Sequence, residues 1–198
     1  MDLMHGSHFA KQYVTDYLMN DIPGRLVTYR NGWGLDDIAL PSPLEYLTYE
    51  PLALDAWPTI VTVAMSMSDM ERTGFFRGDP EYRVNYSMRT YVWIRHERAE
   101  ATTDMRDRLT TVVRSALLDH PRLKSEDPRM TFNVQIDEGT MSEQYSDLTL
   151  LKGDRVLAGS YISYNLYINE IVAREPIGTA EQFDLTFNAV GIAELIPE

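Results

Sequence analysis

Residues Glu81–Leu118 read EYRVNYSMRTYVWIRHERAEATTDMRDRLTTVVRSALL, and within them the hydrophobic period changes once. From Tyr82 to Ile94 the even positions are almost all apolar (Tyr82, Val84, Tyr86, Met88, Val92, Ile94), while Arg83, Asn85, Ser87 and Arg89 occupy the odd ones. That alternation predicts a long strand with one dry side. After His96-Glu97-Arg98 the apolar positions become Ala101, Met105, Leu109, Val112, Val113, Ala116 and Leu117, the spacing of one helical face. A helix is therefore expected to open at Thr102 or Thr103, with either hydroxyl as its cap, and to stop before Pro121.

Outward from this unit, Thr59 to Met67 alternates (Val61, Val63, Met65, Met67), and Thr73-Gly74-Phe75-Phe76-Arg77-Gly78-Asp79-Pro80 reads as the loop of a hairpin. Before it, Ser7 precedes Phe9, Tyr13, Tyr17 and Leu18, which predicts an amphipathic helix over 8–20 ending before Pro23-Gly24. The prolines at 41, 43, 51 and 58 then make residues 23–57 an irregular arm with at most a short helix near Leu44 to Tyr49. On the other side, Thr131 to Ile136 alternates and Gly139 closes it. Tyr145–Leu151 and a long Arg155–Ala173 form a second hairpin around Lys152-Gly153-Asp154, with a bulge or bend at Gly159. The expected fold is α+β: a mainly antiparallel sheet of about four strands in the order β-β-α-β-β. An N-terminal helix (1–22), the arm (23–57), the core (58–173) and an acidic C-terminal arm (174–198) make up the chain.

Thirty acidic residues against eighteen basic ones give a net charge of −12, which opposes loose binding to nucleic acid. Arginine far outnumbers lysine and concentrates between Arg72 and Arg129, whereas after Arg174 there are acids and no bases. Such asymmetry favours attraction between the ends and the middle, within one subunit or between neighbours. The longest apolar runs are too short to cross a bilayer. The first residues lack the basic and apolar regions of a signal peptide and the chain has no cysteine, so synthesis inside the cell is expected.

Candidate chemistry is sparse. His5 and His8 are too few for zinc, and His96-Glu97-Arg98 lacks the second histidine of a zinc-protease helix. Asp36-Asp37 and Asp69-Glu71 read as solvated loop charges, and Gly32-Trp33-Gly34 is too short to cradle a phosphate. No serine sits in a nucleophile elbow, so neither a cofactor nor a catalytic set is expected. The aromatic residues Trp33, Trp57, Phe75 and Phe76 fall in segments read as loops, where a large apolar side chain either caps the core or meets a partner. Phe183, Leu185 and Phe187 alternate with Asp184 and Thr186 and offer one dry face in the C-terminal arm, which is expected to dock on a neighbouring subunit or another protein.

Three stretches carry a family likeness: Leu44-Glu45-Tyr46-Leu47-Thr48-Tyr49-Glu50-Pro51-Leu52, the strand Tyr82–Ile94 leading into the helix Thr103–Leu118, and Gly159-Ser160-Tyr161-Ile162-Ser163-Tyr164-Asn165. In this pattern the chain, over about residues 8–173, resembles the tail terminator proteins of long-tailed bacteriophages, particularly those of high-GC actinobacterial hosts. The resemblance implies a non-enzymatic virion protein made in the host cytoplasm. Six copies would form a ring that caps the tail tube and receives the head connector, and DNA would pass through without specific binding. The segment after Arg174 departs from a minimal member of that family. A neck or stopper protein of the head-to-tail connector is the nearest alternative reading; a small ligand-binding or enzymatic α+β domain is the alternative of another class, for which a deep pocket with convergent polar groups is needed.

Overall fold

The computed structural model describes residues 6–51, 53–76, 78–119, 134–146, 148–151 and 155–172. Helix α1 (Gly6–Trp33) leads through the short strand β1 (Glu45–Leu47) into a hairpin of two 18-residue strands, β2 (Thr59–Phe76) and β3 (Asp79–His96). Helix α2 (Ala99–Asp119) follows, then β4 (Val134–Tyr145), β5 (Thr149–Leu151) and the long β6 (Arg155–Ile171). The class is α+β, and the sheet is mixed because β1 runs parallel to β2 while all other pairs are antiparallel. Its order is β1-β2-β3-β6-β4, so the last strand among the described residues lies inside the sheet. Strand β5 pairs with Arg155–Leu157 of β6 and β4 with Ser160–Ile168, which makes β5 a continuation of β4's line. Among the described residues the sheet thus has six strands where about four are expected, the additions being two three-residue pieces.

Both helices lie on one face. The predicted dry sides of β3 and β6 meet there in register: Val84 opposite Ile168, Tyr86 opposite Leu166, Met88 opposite Tyr164, Thr90 opposite Ile162. Helix α2 covers this pair with Met105, Leu109, Val112, Val113, Ala116 and Leu117, all buried, as the helical spacing requires. Helix α1 packs on β2 and against α2 through Ala10, Val14, Leu18, Ile22 and Leu26. Two polar pairs lie within this core: Thr110 Oγ1 and Ser160 Oγ are 2.5 Å apart, and Thr90 Oγ1 lies 3.0 Å from the Tyr164 hydroxyl.

Several boundaries differ from expectation, each for a local reason. Helix α1 continues past Pro23 because the proline ring is exposed, while Ile22 and Leu26 keep the apolar stripe running. Arg25, paired with Asp21 one turn back in α1, also ties this second half to α2 through Ser115 and Asp119. The stop comes at Gly34 (φ +64°), where the Leu35 amide donates to the Arg30 carbonyl at 2.9 Å in a Schellman closure. Residues 23–33 of the expected arm are thus helical, and 45–47 form a strand instead of a short helix. Helix α2 starts at Ala99, with the Thr102 amide already bonded to the Arg98 carbonyl and the Thr102 hydroxyl turned back to the same oxygen instead of capping. His96 Nδ1 accepts the Arg98 amide in its place. Strand β4 runs through Gly139 across an irregularity between Asp137 and Ser142, and β6 passes Gly159 with no register shift. The Lys152–Asp154 turn and the C-terminal arm 174–198 lie outside the described residues.

Candidate functional site

The sheet has a second face, and no helix among the described residues covers it. Its residues are the odd positions of the deciding strand and their neighbours: Arg83, Arg89, Tyr91 and Trp93 on β3, opposite Asn169, Ser163, Tyr161 and Gly159 on β6. Tyr91 stacks near-parallel with Trp93, ring centroids 6.3 Å apart, and tilts onto Tyr161 at 5.4 Å. The Arg89 guanidinium lies 4.6 Å over the Tyr161 ring and donates to the Tyr91 hydroxyl at 3.4 Å, which pushes its pKa above the ordinary arginine value. Arg83 repeats the arrangement over Tyr167 at 4.6 Å. These arginine–tyrosine steps hold planar cations flat on the sheet.

Gly159 explains why the aromatic cluster can sit so low. A Cβ at that position would lie 2.4 Å from the Trp93 ring, so only glycine lets the indole rest on the β6 backbone. The expected bend is thus a close approach. Beside Trp93, a cavity of about 220 Å³ is lined by Glu50, Pro51, Leu54, Val61, Tyr91 and Trp93. A more polar hollow of about 420 Å³ lies between Arg83, Tyr167 and the Gln135–Gly139 stretch of β4.

The second feature is the edge of β2. Strand β1 pairs only with Thr59–Val61, so from Thr62 onward this edge has no neighbour among the described residues. The ladder to β3 slips at Ala64/Ser66, Ser68/Met70 and Arg72/Gly74, and Asp69 takes φ +51°. These bulges place Met67, Met70, Arg72 and Phe75 opposite Tyr86, Val84, Tyr82 and Pro80, all on the helix side, beyond the reach of the helices. Met67, Met70 and Phe75 are 56%, 49% and 58% exposed, and the Arg72 guanidinium lies 4.1 Å over the Phe75 ring. The alternation predicted for Met65 and Met67 fails because Met65 falls in the first bulge.

The aromatic residues singled out in the sequence are not brought together. Trp33 ends α1, edge-to-face with Tyr29 at 4.7 Å and 43% exposed, and is helical where a loop is expected. Trp57 is half-buried just before β2, so both tryptophans lie toward the end where β2 begins. Phe75 and Phe76 belong to β2 itself, at its far end, since the strand consumes most of the expected loop. Phe183, Leu185 and Phe187 lie outside the described residues. Missed from sequence was the Arg83/Arg89/Tyr91/Trp93/Tyr161/Tyr167 surface; its signal was an odd-numbered face carrying arginine and aromatic residues where a solvated face carries lysine and glutamate.

No known protein family matches this chain, nor does any curated protein. Among the described residues no three histidine, cysteine, aspartate or glutamate side chains converge as a metal site, and no helix is long and apolar enough to cross a membrane.

Proposed function

We propose that this chain is a structural assembly protein, and specifically a tail terminator of a long-tailed bacteriophage, whose copies close into a ring, six being the expected number, between tail tube and head connector. The observation that carries the assembly reading is the uncovered sheet face with its stacked Tyr91, Trp93 and Tyr161 and its flat-lying Arg83 and Arg89. Aromatic residues and arginine are the types enriched in protein interfaces, and a sheet face that no helix covers among the described residues presents them to a second layer. The outer edge of β4, which has no neighbour among the described residues, adds a site for continuing the sheet into a partner. The assignment to phage tails rests on the sequence pattern; with a net charge of −12, the channel of such a ring is expected to be acidic or neutral so that DNA slides through unheld.

Light scattering and negative-stain imaging of the purified protein, alone and mixed with tail tubes, test the reading. Rings, free or on tube ends, are the expected result. A monomer that neither self-associates nor binds tubes would remove the assignment, and a strongly basic lumen in a ring would contradict its role as a DNA passage.

A further inference from the structure

We infer that the free edge of β2 is the docking site for the chain's own C-terminal segment, Phe183–Phe187, with the three apolar side chains covering Met67 and Met70. The inference stands whether or not copies form a ring, and it assigns the segment to its own copy, where the sequence alone suggested a neighbour.

Where the fold hands over to the segment is the first argument. Strand β6 ends beside the hairpin tip, and the Val172 amide donates to the Pro80 carbonyl at 3.1 Å. The uncovered stripe starts at the same end of the sheet, because Phe75 is the register partner of Pro80. From β6 to a position outside β2 is three strand spacings, roughly 14 Å. Residues 173–182 can span up to ~33 Å, so the chain reaches the edge around the tip with length to spare. It arrives running back from the tip, antiparallel to β2, the orientation of the stronger ladder.

Pitch is the second argument. The bulges compress β2 so that Met67, Met70 and Arg72 stand opposite Tyr86, Val84 and Tyr82, two β3 residues per step. Each step is about 6.7 Å, the same interval at which Phe183, Leu185 and Phe187 recur in an extended chain. An antiparallel strand on this edge sets Leu185 beside Met70 and Phe187 beside Met67, on the helix side, with Asp184 and Thr186 on the opposite face. The bulges otherwise read only as protection of an edge against aggregation; protection does not require that three of them keep apolar side chains on one face.

Two measurements on the full chain test this. The protein has no cysteine, so Met70→Cys with Leu185→Cys gives a clean pair. Mild oxidation is expected to yield an intrachain disulfide, seen by peptide mass spectrometry on monomer. In the wild-type protein, backbone amides of residues 66–71 are expected to exchange roughly tenfold more slowly than in a chain ending at Gln182. A disulfide formed only between chains would overturn the assignment to the segment's own copy. Equal exchange in the two chains, with no disulfide, would overturn the docking itself.

Discussion

At the scale of single residues, Gly159 against Trp93 is the tightest glycine contact among the described residues. Adding one methyl in Gly159→Ala drives a Cβ to 2.4 Å from the indole, which should cost about 1–3 kcal/mol as the ring is lifted from Tyr91. Chemical denaturation reads that loss, and it should largely vanish when Trp93 is first shortened to Leu; an equal loss in both backgrounds would mean that backbone freedom, not the ring, selects the glycine. The tyrosines of the α1 side give a pH signature. Burial, aided by Tyr17 for the first and by Asp21 and Asp119 for the second, pushes Tyr13 and Tyr17 up to about 12 from the usual 10.0. A phenol whose folded pKa lies above its unfolded one stabilises fully below the unfolded value and loses that contribution as pH rises through the folded value. Stability should therefore fall between about pH 10 and 12, and phenolate absorbance should show these groups titrating only with unfolding. Early titration of both would place their rings in solvent.

At the scale of elements, the helix-side core can be tested through α2. Val113→Asp puts a carboxylate among fully buried side chains with no partner, a loss of several kcal/mol, comparable with the ~5–15 kcal/mol of a whole domain. The variant should fail to give a cooperative melt; a normal melt would put that face outside. Pro23→Ala tests the continuity of α1: restoring the missing donor in a helix interior should gain about 1–3 kcal/mol, whereas no gain would indicate that the proline sits at a break. These two helices also mark what the sequence could show. The 3.6-residue stripe of α2 and the strict alternation of β3 and β6 were readable because each element buries a single face for its whole length. Helix α1 was read short because Pro23 and Gly24 are local stop signals, while the contacts that override them, Arg25 to Ser115 and Asp119, span some ninety residues. Strand β2 was misphased because a bulge shifts the period without changing any residue type. The odd-numbered face of β3 was passed over as the wet side, since alternation says which face is dry but not what the other face binds.

At the scale of the whole molecule, stability and assembly should be separable. Arg89→Glu reverses a charge that lies over Tyr161 on the uncovered face; an exposed stack of this kind contributes ~0.5–1 kcal/mol, so the melt should change little. Association with other copies or with tail tubes should be lost, as followed by light scattering. Unchanged association would move the interface off this face. Finally, consider where β6 lies. The last strand among the described residues occupies the interior of the sheet, between β3 and β4. While a ribosome builds the stretch from His96 to Ile171, at ~5–20 residues per second, the β2–β3 hairpin waits roughly 4–15 s with its inner edge open and the dry side of β3 half covered. Every nascent chain thus passes through an interval in which the inner edge of β3 is exposed to any neighbouring strand. A polysome crowded with identical chains is where misassembly of this protein would begin, and slower translation across 97–154 would lengthen the risk.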